Sequence, residues 1–442
     1  MEPGETVTVV GAGLAGSEAA LQLAARDVPV RLVEMRPATL TPAHRTGLAA
    51  ELVCSNSLKS DDPSSAAGSL KVELEAMDSR LLAIARSCRV PAGGALAVDR
   101  NRFSNAVDSA LDAEPLVTRC TALATEIPDP PAIIATGPLT ADSLAEDLRR
   151  ACGRGTLAFY DAAAPIVTAD SIDTEIVFAQ SRYGKGGGAD YLNAPLERGE
   201  YDAFVSALVS AERVISRDFE RRELFSACQP VEEVARTGPD ALSHGAMKPV
   251  GLTDPRTSRR PWAAVQLRAE NAERTAYNLV GFQTNLRFGE QERVFRMIPG
   301  LERAEFARYG VMHRNTFLDA PRVLSPTLEL RCRPGVRVAG QLSGTEGYVE
   351  AIASGLFAAL ATYAELRSLE PPRLPRETLF GCLLAHATDP KTSPYQPMHV
   401  NYGIIDPLEV PVRGKRERRS AYAERAHTSI RAWVAERTDL FG

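Results

Sequence analysis

The stretch from Thr6 to Glu34 constrains this chain more than any other, because it prescribes a strand, a turn, a helix and a second strand in that order. Thr6, Val7, Thr8, Val9 and Val10 are all β-branched and favour extended backbone. They run into Gly11-Ala12-Gly13-Leu14-Ala15-Gly16, after which Glu18, Ala19, Ala20, Leu21, Leu23 and Ala24 read as a helix with an apolar face. Val28 to Val33 predict the second strand, closed by Glu34. A G-x-G-x-x-G turn between strand and helix suits a dinucleotide. Gly11 permits the tight turn, Gly13 lets backbone N–H groups approach a pyrophosphate at the helix start, and Gly16 lets helix pack on strand. Glu34 is placed to accept hydrogen bonds from a ribose. Just past Met35, Arg36 is placed to meet the adenylate end. The competing reading is a glycine turn that binds nothing; strand, helix and terminal acid in sequence argue against it.

At 442 residues the chain has room for two domains, or for one with a large insertion. Its 44 % apolar and 24 % charged content is that of an ordinary globular protein. No apolar run reads as long enough to span a bilayer and no charged-then-apolar leader follows Met1, so a cytoplasmic protein with no membrane partner is expected. Seven cysteines, scattered and never in C-x-x-C spacing, argue against a disulfide framework and against a zinc or other metal site. Single reactive thiols are the remaining possibility. The net charge of −5 is unevenly spread: Pro411 to Gly442 carry eight Arg/Lys against four Asp/Glu. Such a basic tail is either an electrostatic footprint for RNA or a solvated helix with paired charges.

In chain order, Glu51 to Lys59 contain Cys54-Ser55-Asn56-Ser57, where small polar residues after a cysteine suit a ligand-facing loop. Cys54 is either a functional thiol or a buried structural one. Leu70, Leu74, Met77, Leu81 and Ile84 predict one helical face across 70–85, and Arg102 to Leu111 a further helix. Ala132 to Ala135 form a strand ended by Thr136-Gly137-Pro138, a closure familiar in FAD-binding two-dinucleotide folds, which favours FAD over NAD. From about Cys152 to Arg331 the texture changes. Arg182-Tyr183-Gly184-Lys185-Gly186-Gly187-Gly188 follows polar residues and reads as a mobile loop, and Pro230 as a helix stop just beyond Cys228. Val336 to Ala339 return as a strand, running into a glycine turn at Gly340 to Gly347, then Tyr348, Val349 and a helix of small residues over Ala351 to Ala361. The expected architecture is α/β, a Rossmann-like FAD-binding two-dinucleotide fold with a large inserted α/β domain: 1–150 and 332–442 as one discontinuous FAD domain, 151–331 inserted.

The strings GAGLAGSEAA, EMRP, VCSNSLK, PAGGALAVDR, ATGPLT, MKPVGLTDPR, LVGFQTNL, MIPGLERAEFARYGVMHRNT and EGYVEA together resemble one family, the bacterial folate- and FAD-dependent tRNA (uracil-5-)-methyltransferases, from the first strand to Asn401-Tyr402. The resemblance implies that uracil, unreactive at its 5-carbon, is activated by a thiolate adding at the 6-carbon. It implies further that the carbon comes from methylenetetrahydrofolate, that reduced FAD serves as carrier and reductant, and that NAD(P)H is the electron source. Cys228 matches the family's nucleophile and Cys54 its second active-site cysteine, a helper in proton transfer. By the same resemblance the FAD contacts include Asn56, Thr136, Gly137, Gly340, Gly347, Tyr348 and Val349 besides the first turn. His313, with Asn285 and Arg287 nearby, is the candidate to sandwich a folate pterin, a packed histidine being the alternative. Arg314 and the tail residues Lys415, Arg416, Arg418 and Arg419 are candidates for phosphates of the tRNA T arm. No NAD(P)H fingerprint accompanies them, which implies that nicotinamide and folate use the flavin face in turn. Three other readings compete: the related wobble-uridine-modifying flavoprotein, which carries a C-terminal helical domain this length has no room for; a small-molecule FAD-dependent oxidoreductase; and a non-catalytic tRNA-binding flavoprotein.

Overall fold

Five short strands form a parallel sheet in the spatial order Val336–Val338, Ala132–Ile134, Val7–Val10, Val30–Glu34, Val117–Thr121. Read from the last, this is the 3-2-1-4-5 order of a dinucleotide-binding half, with the first strand at the switch point. A computed structural model describes residues 5–41, 43–153, 156–214, 229–393 and 395–442, without the side chains of 156–161 and 312–314. The central strands are apolar on both faces because both faces are covered; Val7, Val9, Ala132, Ile133 and Ile134 have no exposure at all.

Helix Leu14–Ala24 is buried on every side, not on the single face its pattern suggested. It lies against the long helix Tyr348–Leu366, and its polar residues are satisfied inside the fold: the Glu18 carboxylate accepts from Gln22 Nε2 at 2.9 Å and from the N–H groups of Arg80 and Leu81 at 3.0 and 2.7 Å. Those last contacts explain a second departure. The periodicity over 70–85 is carried by two helices, Ala66–Ala76 and Arg80–Ser87. Asp78 takes φ 57°, and Ser79 caps the second helix by accepting from Leu82 N. Apolar spacing persists across such a break because both pieces face one core, so spacing alone does not reveal it. Tyr348–Leu366 is, by length and apolarity, a helix that could cross a membrane, which corrects the expectation that no such run exists; 83 % of its apolar window is packed within the protein.

The inserted part is built on a six-stranded antiparallel sheet, ordered Phe178–Ala179, Tyr191–Leu196, Ala263–Ala269, Ala276–Leu279, Ile166–Thr168, Phe306–Arg308. Helices Arg198–Ser210 and Phe288–Phe295 close its own core around Phe204, Phe282 and Phe295, whose ring centroids lie 6.2 and 5.7 Å apart. That core runs from Ala164 to Ala304. By Phe317 and Leu318 the side chains are back in the first core, ahead of the division at 331 expected from texture. The outgoing and returning chains pair with each other, Thr156–Ala162 antiparallel to Met312–Leu318, in a seven-residue seam. At the far end, helix Lys415–Glu436 buries Ala423, Ala426, Ile430 and Trp433, and His427 Nε2 meets Ser69 Oγ at 3.0 Å.

Candidate active site

The first glycine turn is shaped by backbone contact. Gly11 has φ 99°, and a Cβ there would sit 2.6 Å from Ala135 O; at Gly16 one would sit 1.8 Å from Gly11 O. A side chain at Gly11 would collide with the end of the neighbouring strand, and one at Gly16 would push the helix away from the turn. Gly13 faces open space, and helix Leu14–Ala24 has no side-chain cap, so its first N–H groups are offered to a ligand. A second uncapped helix start comes from the other end of the chain: Gly347, at φ 115°, precedes Tyr348–Leu366. Between the two lies a cleft of about 420 Å³, walled also by Glu34, Met35, Arg36, Thr136, Gly137, Gly340 and Val349. Two uncapped helix ends, glycine-shaped backbone and apolar walls fit the pyrophosphate and rings of a dinucleotide.

Glu34 lines this cleft with both carboxylate oxygens already engaged. One accepts from the backbone N–H and Nε of Arg36, each at 3.0 Å; the other accepts from Ala12 N at 2.8 Å and Arg36 Nη2 at 3.2 Å. Burial raises the carboxyl's pKa, and the Arg36 hydrogen bonds and charge outweigh it, holding the group below its ordinary range. Glu34 therefore braces the turn, and a ribose hydroxyl would share it with Arg36. Arg36 is itself buried and neutralised, its Nη1 donating to Leu48 O at 3.0 Å and lying 3.6 Å from Glu51.

Cys54 forms part of the wall at the second helix start. The Tyr348 hydroxyl accepts from Cys54 N at 2.8 Å and Ser55 N at 3.2 Å, and burial pushes the phenol's pKa upward, so it keeps its proton. Arg100 donates to the Cys54 carbonyl at 3.1 Å and also to Leu52 O, and is paired with Glu270. The sulfur lies 4.0 Å from Ala162 O, at the seam to the insertion. Arg100, Arg268 and Arg308 all stand within electrostatic reach of it, the surroundings a reactive thiol requires. Lys59 also lines the cleft, 3.5 Å from the buried Glu350 of the long helix.

Other expected residues are placed elsewhere. Asn56 does not line the cleft. It is wholly buried behind it, donating to Val98 O and Ala269 O and accepting from Arg268 Nε at 2.7 Å, and so ties the short strand Ala95–Val98 to the insertion's sheet. Asn285 is nearly buried with its N–H on Glu232, and Arg287 is an exposed residue 3.3 Å from Glu212; neither lines the cleft. Backbone pairing sets His313 opposite Asp161 and Arg314 opposite Tyr160, while their side chains lie outside the description. Asn315, two residues beyond His313 on the same strand, does line the cleft. Cys228 lies outside the described residues. Pro230 begins a helix, Val231–Arg236, as its N-cap; whatever it ends lies among residues not described. Lys415, Arg416, Arg418 and Arg419 are exposed on the first turns of the tail helix, none paired with a carboxylate among the described residues.

Several lining residues escaped the sequence reading. Thr41 and His44 come from the Thr/Pro/His-rich loop, joined at 2.6 Å; burial, then Arg36, lowers His44 to about 4, so it is neutral. Gln283 comes from the insertion. Polar loop composition marked the first pair only as a loop, and nothing local distinguishes Gln283.

The model of the glucose inhibited division protein A family matches residues 6–370. The chain is 54 % identical over 432 residues to the methylenetetrahydrofolate–tRNA-(uracil-5-)-methyltransferase TrmFO of Symbiobacterium thermophilum, covering 97 % of each chain. It is 52 % identical over 430 residues to the protein of the same name from Geobacter sulfurreducens, covering 97 % of this chain and 99 % of that one. Among solved structures it resembles GidA of Aquifex aeolicus with a TM-score of 0.70, covering 99 % of this chain and 74 % of that one; at 15 % identity the likeness is one of fold.

Proposed function

Since the chain belongs to the glucose inhibited division protein A family, and within it to the methylenetetrahydrofolate–tRNA-(uracil-5-)-methyltransferases, we propose that it forms 5-methyluridine in the T loop of tRNA, in the cytoplasm, with FAD held in the glycine-turn cleft. The carbon donor is methylenetetrahydrofolate, and bound FAD, with NAD(P)H as electron source, supplies the reducing chemistry that brings the transferred carbon to the methyl level.

The chain's own residues do the rest. N–H groups at the starts of Leu14–Ala24 and Tyr348–Leu366 hold the cofactor's phosphates and ring. The Tyr348 hydroxyl and Arg100 fix the Cys54 backbone from opposite sides, N–H and carbonyl, which aims its thiol into the cleft. In the uracil, a thiolate from Cys228 adds at the 6-carbon and makes the 5-carbon nucleophilic. After the carbon is transferred, Cys54 takes the 5-proton, and the 6-carbon–sulfur bond breaks to release product. Asn315 and the His313 strand border the space a folate pterin would enter. The observation that carries this reading is that Cys54 meets Tyr348 at the second helix start, inside the cleft built by the first glycine turn.

The test is to incubate the purified FAD-containing protein with unmodified tRNA transcript, methylenetetrahydrofolate and NAD(P)H and to measure 5-methyluridine at the T loop. Its absence while FAD is bound and reducible refutes the reading. With 5-fluorouridine tRNA, a covalent protein–RNA adduct should form and be lost in Cys228→Ala; an adduct that persists removes Cys228 from the nucleophile role.

A further inference from the structure

Two sequence motifs, the loop beginning at Arg182 and the run around Gly251, have no part in the cleft, yet they meet. The loop is firmly held. Ser181 N donates to Gly188 O at 2.7 Å, Asp190 accepts from Gly187 N and from Gly93 N at 2.7 Å, and a Cβ on Gly186 would come within 2.8 Å of Gly93 Cα. The mobile loop expected from its glycines is a docked hairpin whose glycines permit close approach to the Gly93-Gly94 turn.

At its tip Tyr183 takes φ 58° and is 67 % exposed, an unfavourable backbone state for an aromatic residue and an unfavourable place for a large ring. Its N–H donates to Gly251 O at 3.3 Å, and its ring lies over Gly251, where a Cβ would come within 3.1 Å of Cε1 and Cζ. One face of the ring is thus supported by bare backbone, while most of the residue is open to solvent. Arg182, half-buried beside it, has an Nε with no hydrogen-bond partner among the described residues, and Lys185 beyond is exposed and unpaired among them. An unsupported cation, a propped aromatic face and a second cation within four residues match a nucleotide: a base to stack and phosphates to meet the charges.

The position is continuous with the cleft. Gly94, under the loop, accepts from Asp61 N at 2.8 Å, next to the strand Ser57–Ser60 that carries Lys59 into the cleft wall. Asp62, whose carboxyl is held below its ordinary range first by hydrogen bonds from Ser64, lies within electrostatic reach of both Lys185 and Arg416 of the tail helix. Insertion loop and tail therefore flank the same edge of the cofactor domain.

We propose that the Arg182–Lys185 loop is a tRNA contact, with Tyr183 stacking on an unpaired nucleobase and Arg182 and Lys185 holding the adjoining phosphates. This rests on the tRNA reading above and gives the insertion a role in grasping that substrate. It is tested on the FAD-bound protein with unmodified tRNA transcript. Tyr183→Ala should weaken tRNA binding about tenfold or more, Tyr183→Phe should stay within about twofold of the parent, and reduction of the bound flavin by NAD(P)H should be unchanged in both. Lys185→Ala should lower the slope of log affinity against log salt by about one. In the unaltered protein, tRNA carrying 4-thiouridine should photocross-link to the peptide that contains Tyr183. Unchanged binding by Tyr183→Ala, an unchanged salt slope in Lys185→Ala, or no cross-link to that peptide while the parent protein binds tRNA overturns the loop proposal alone. No tRNA binding by the parent protein overturns it together with the methyltransferase reading.

Discussion

Gly355→Ala probes how closely the two cleft-forming helices must meet. A Cβ at Gly355 would lie 2.1 Å from Ala15 O and 2.8 Å from Ala15 Cα, and the nearest obstructing atoms are all backbone. Ordinary contact begins near 3.4 Å, so the helices must separate by about 1.3 Å at that crossing. No rotamer relieves the clash. Overpacking of this kind costs about 1–3 kcal/mol, and alanine's better helix propensity returns about 1 kcal/mol. The expected net loss is about 0–2 kcal/mol. The larger effect should be on the cleft: Ala15 sits in the first turn beside Gly340, where a Cβ would meet Ala15 Cβ at 3.1 Å, so the widened crossing pulls one set of N–H donors from the other. Urea unfolding with and without added FAD, together with the FAD content of the purified protein, measures both effects. A variant at least as stable as the parent that keeps its full complement of FAD would refute the close crossing and the two-ended grip derived from it.

Tyr348→Phe removes the acceptor shared by Cys54 N and Ser55 N and should cost about 1–3 kcal/mol in unfolding free energy, with methylation falling more than FAD binding; equal losses in both would deny the hydroxyl a role in placing Cys54. Arg100→Ala leaves the nearly buried Glu270 carboxylate unpaired and two carbonyls undonated, and a loss of about 3–5 kcal/mol is expected by denaturant titration. Glu73 is wholly buried, and burial raises its carboxyl to about 7 despite hydrogen bonds from Phe380 and Leu379 N–H. Its contribution to stability is full below the ordinary value of 4.5 and is lost as pH climbs to about 7. Urea midpoints taken from about pH 5 to about 8 should therefore fall more steeply for the parent than for Glu73→Gln, and parallel curves would refute the assignment. Exchanging both Lys415 and Arg416 for Ala should reduce the salt slope of tRNA binding by about two; an unchanged slope would leave the tail a solvated helix.

Local rules were enough to read the first strand, turn and helix, because Gly16 packs on Gly11 within the same thirty-residue unit and Gly13 opens the helix start, even though Gly11's own close neighbour, Ala135, lies far along the chain. The return of the fold at Val336 was legible for the same reason: a strand feeding glycines and a small-residue helix repeats the first pattern. What stayed hidden depends on distant partners. Glu34 reads as a ribose acceptor until Arg36 and Ala12 are seen to fill its oxygens. Asn56 reads as a ligand-facing residue until Arg268, 212 positions away, is found on its amide oxygen. Likewise, the break at Asp78 serves a carboxylate on another helix, Glu18, which no window around residue 78 contains. Tyr183 was visible only as part of a glycine-rich loop, since the surface that supports it belongs to Gly251.

The seam between Thr156–Ala162 and Met312–Leu318 has a consequence for how the protein is made. Everything between those strands can mature around its own phenylalanine cluster while the earlier segment waits. Helix Leu14–Ala24 leaves the ribosome among the first parts of the chain, yet the neighbour that covers it, Tyr348–Leu366, is among the last. At about 5–20 residues per second the delay is on the order of half a minute. Through that interval the nascent N-terminal segment carries an apolar helix missing its last and longest neighbour, a face that a holdase chaperone would have to shield.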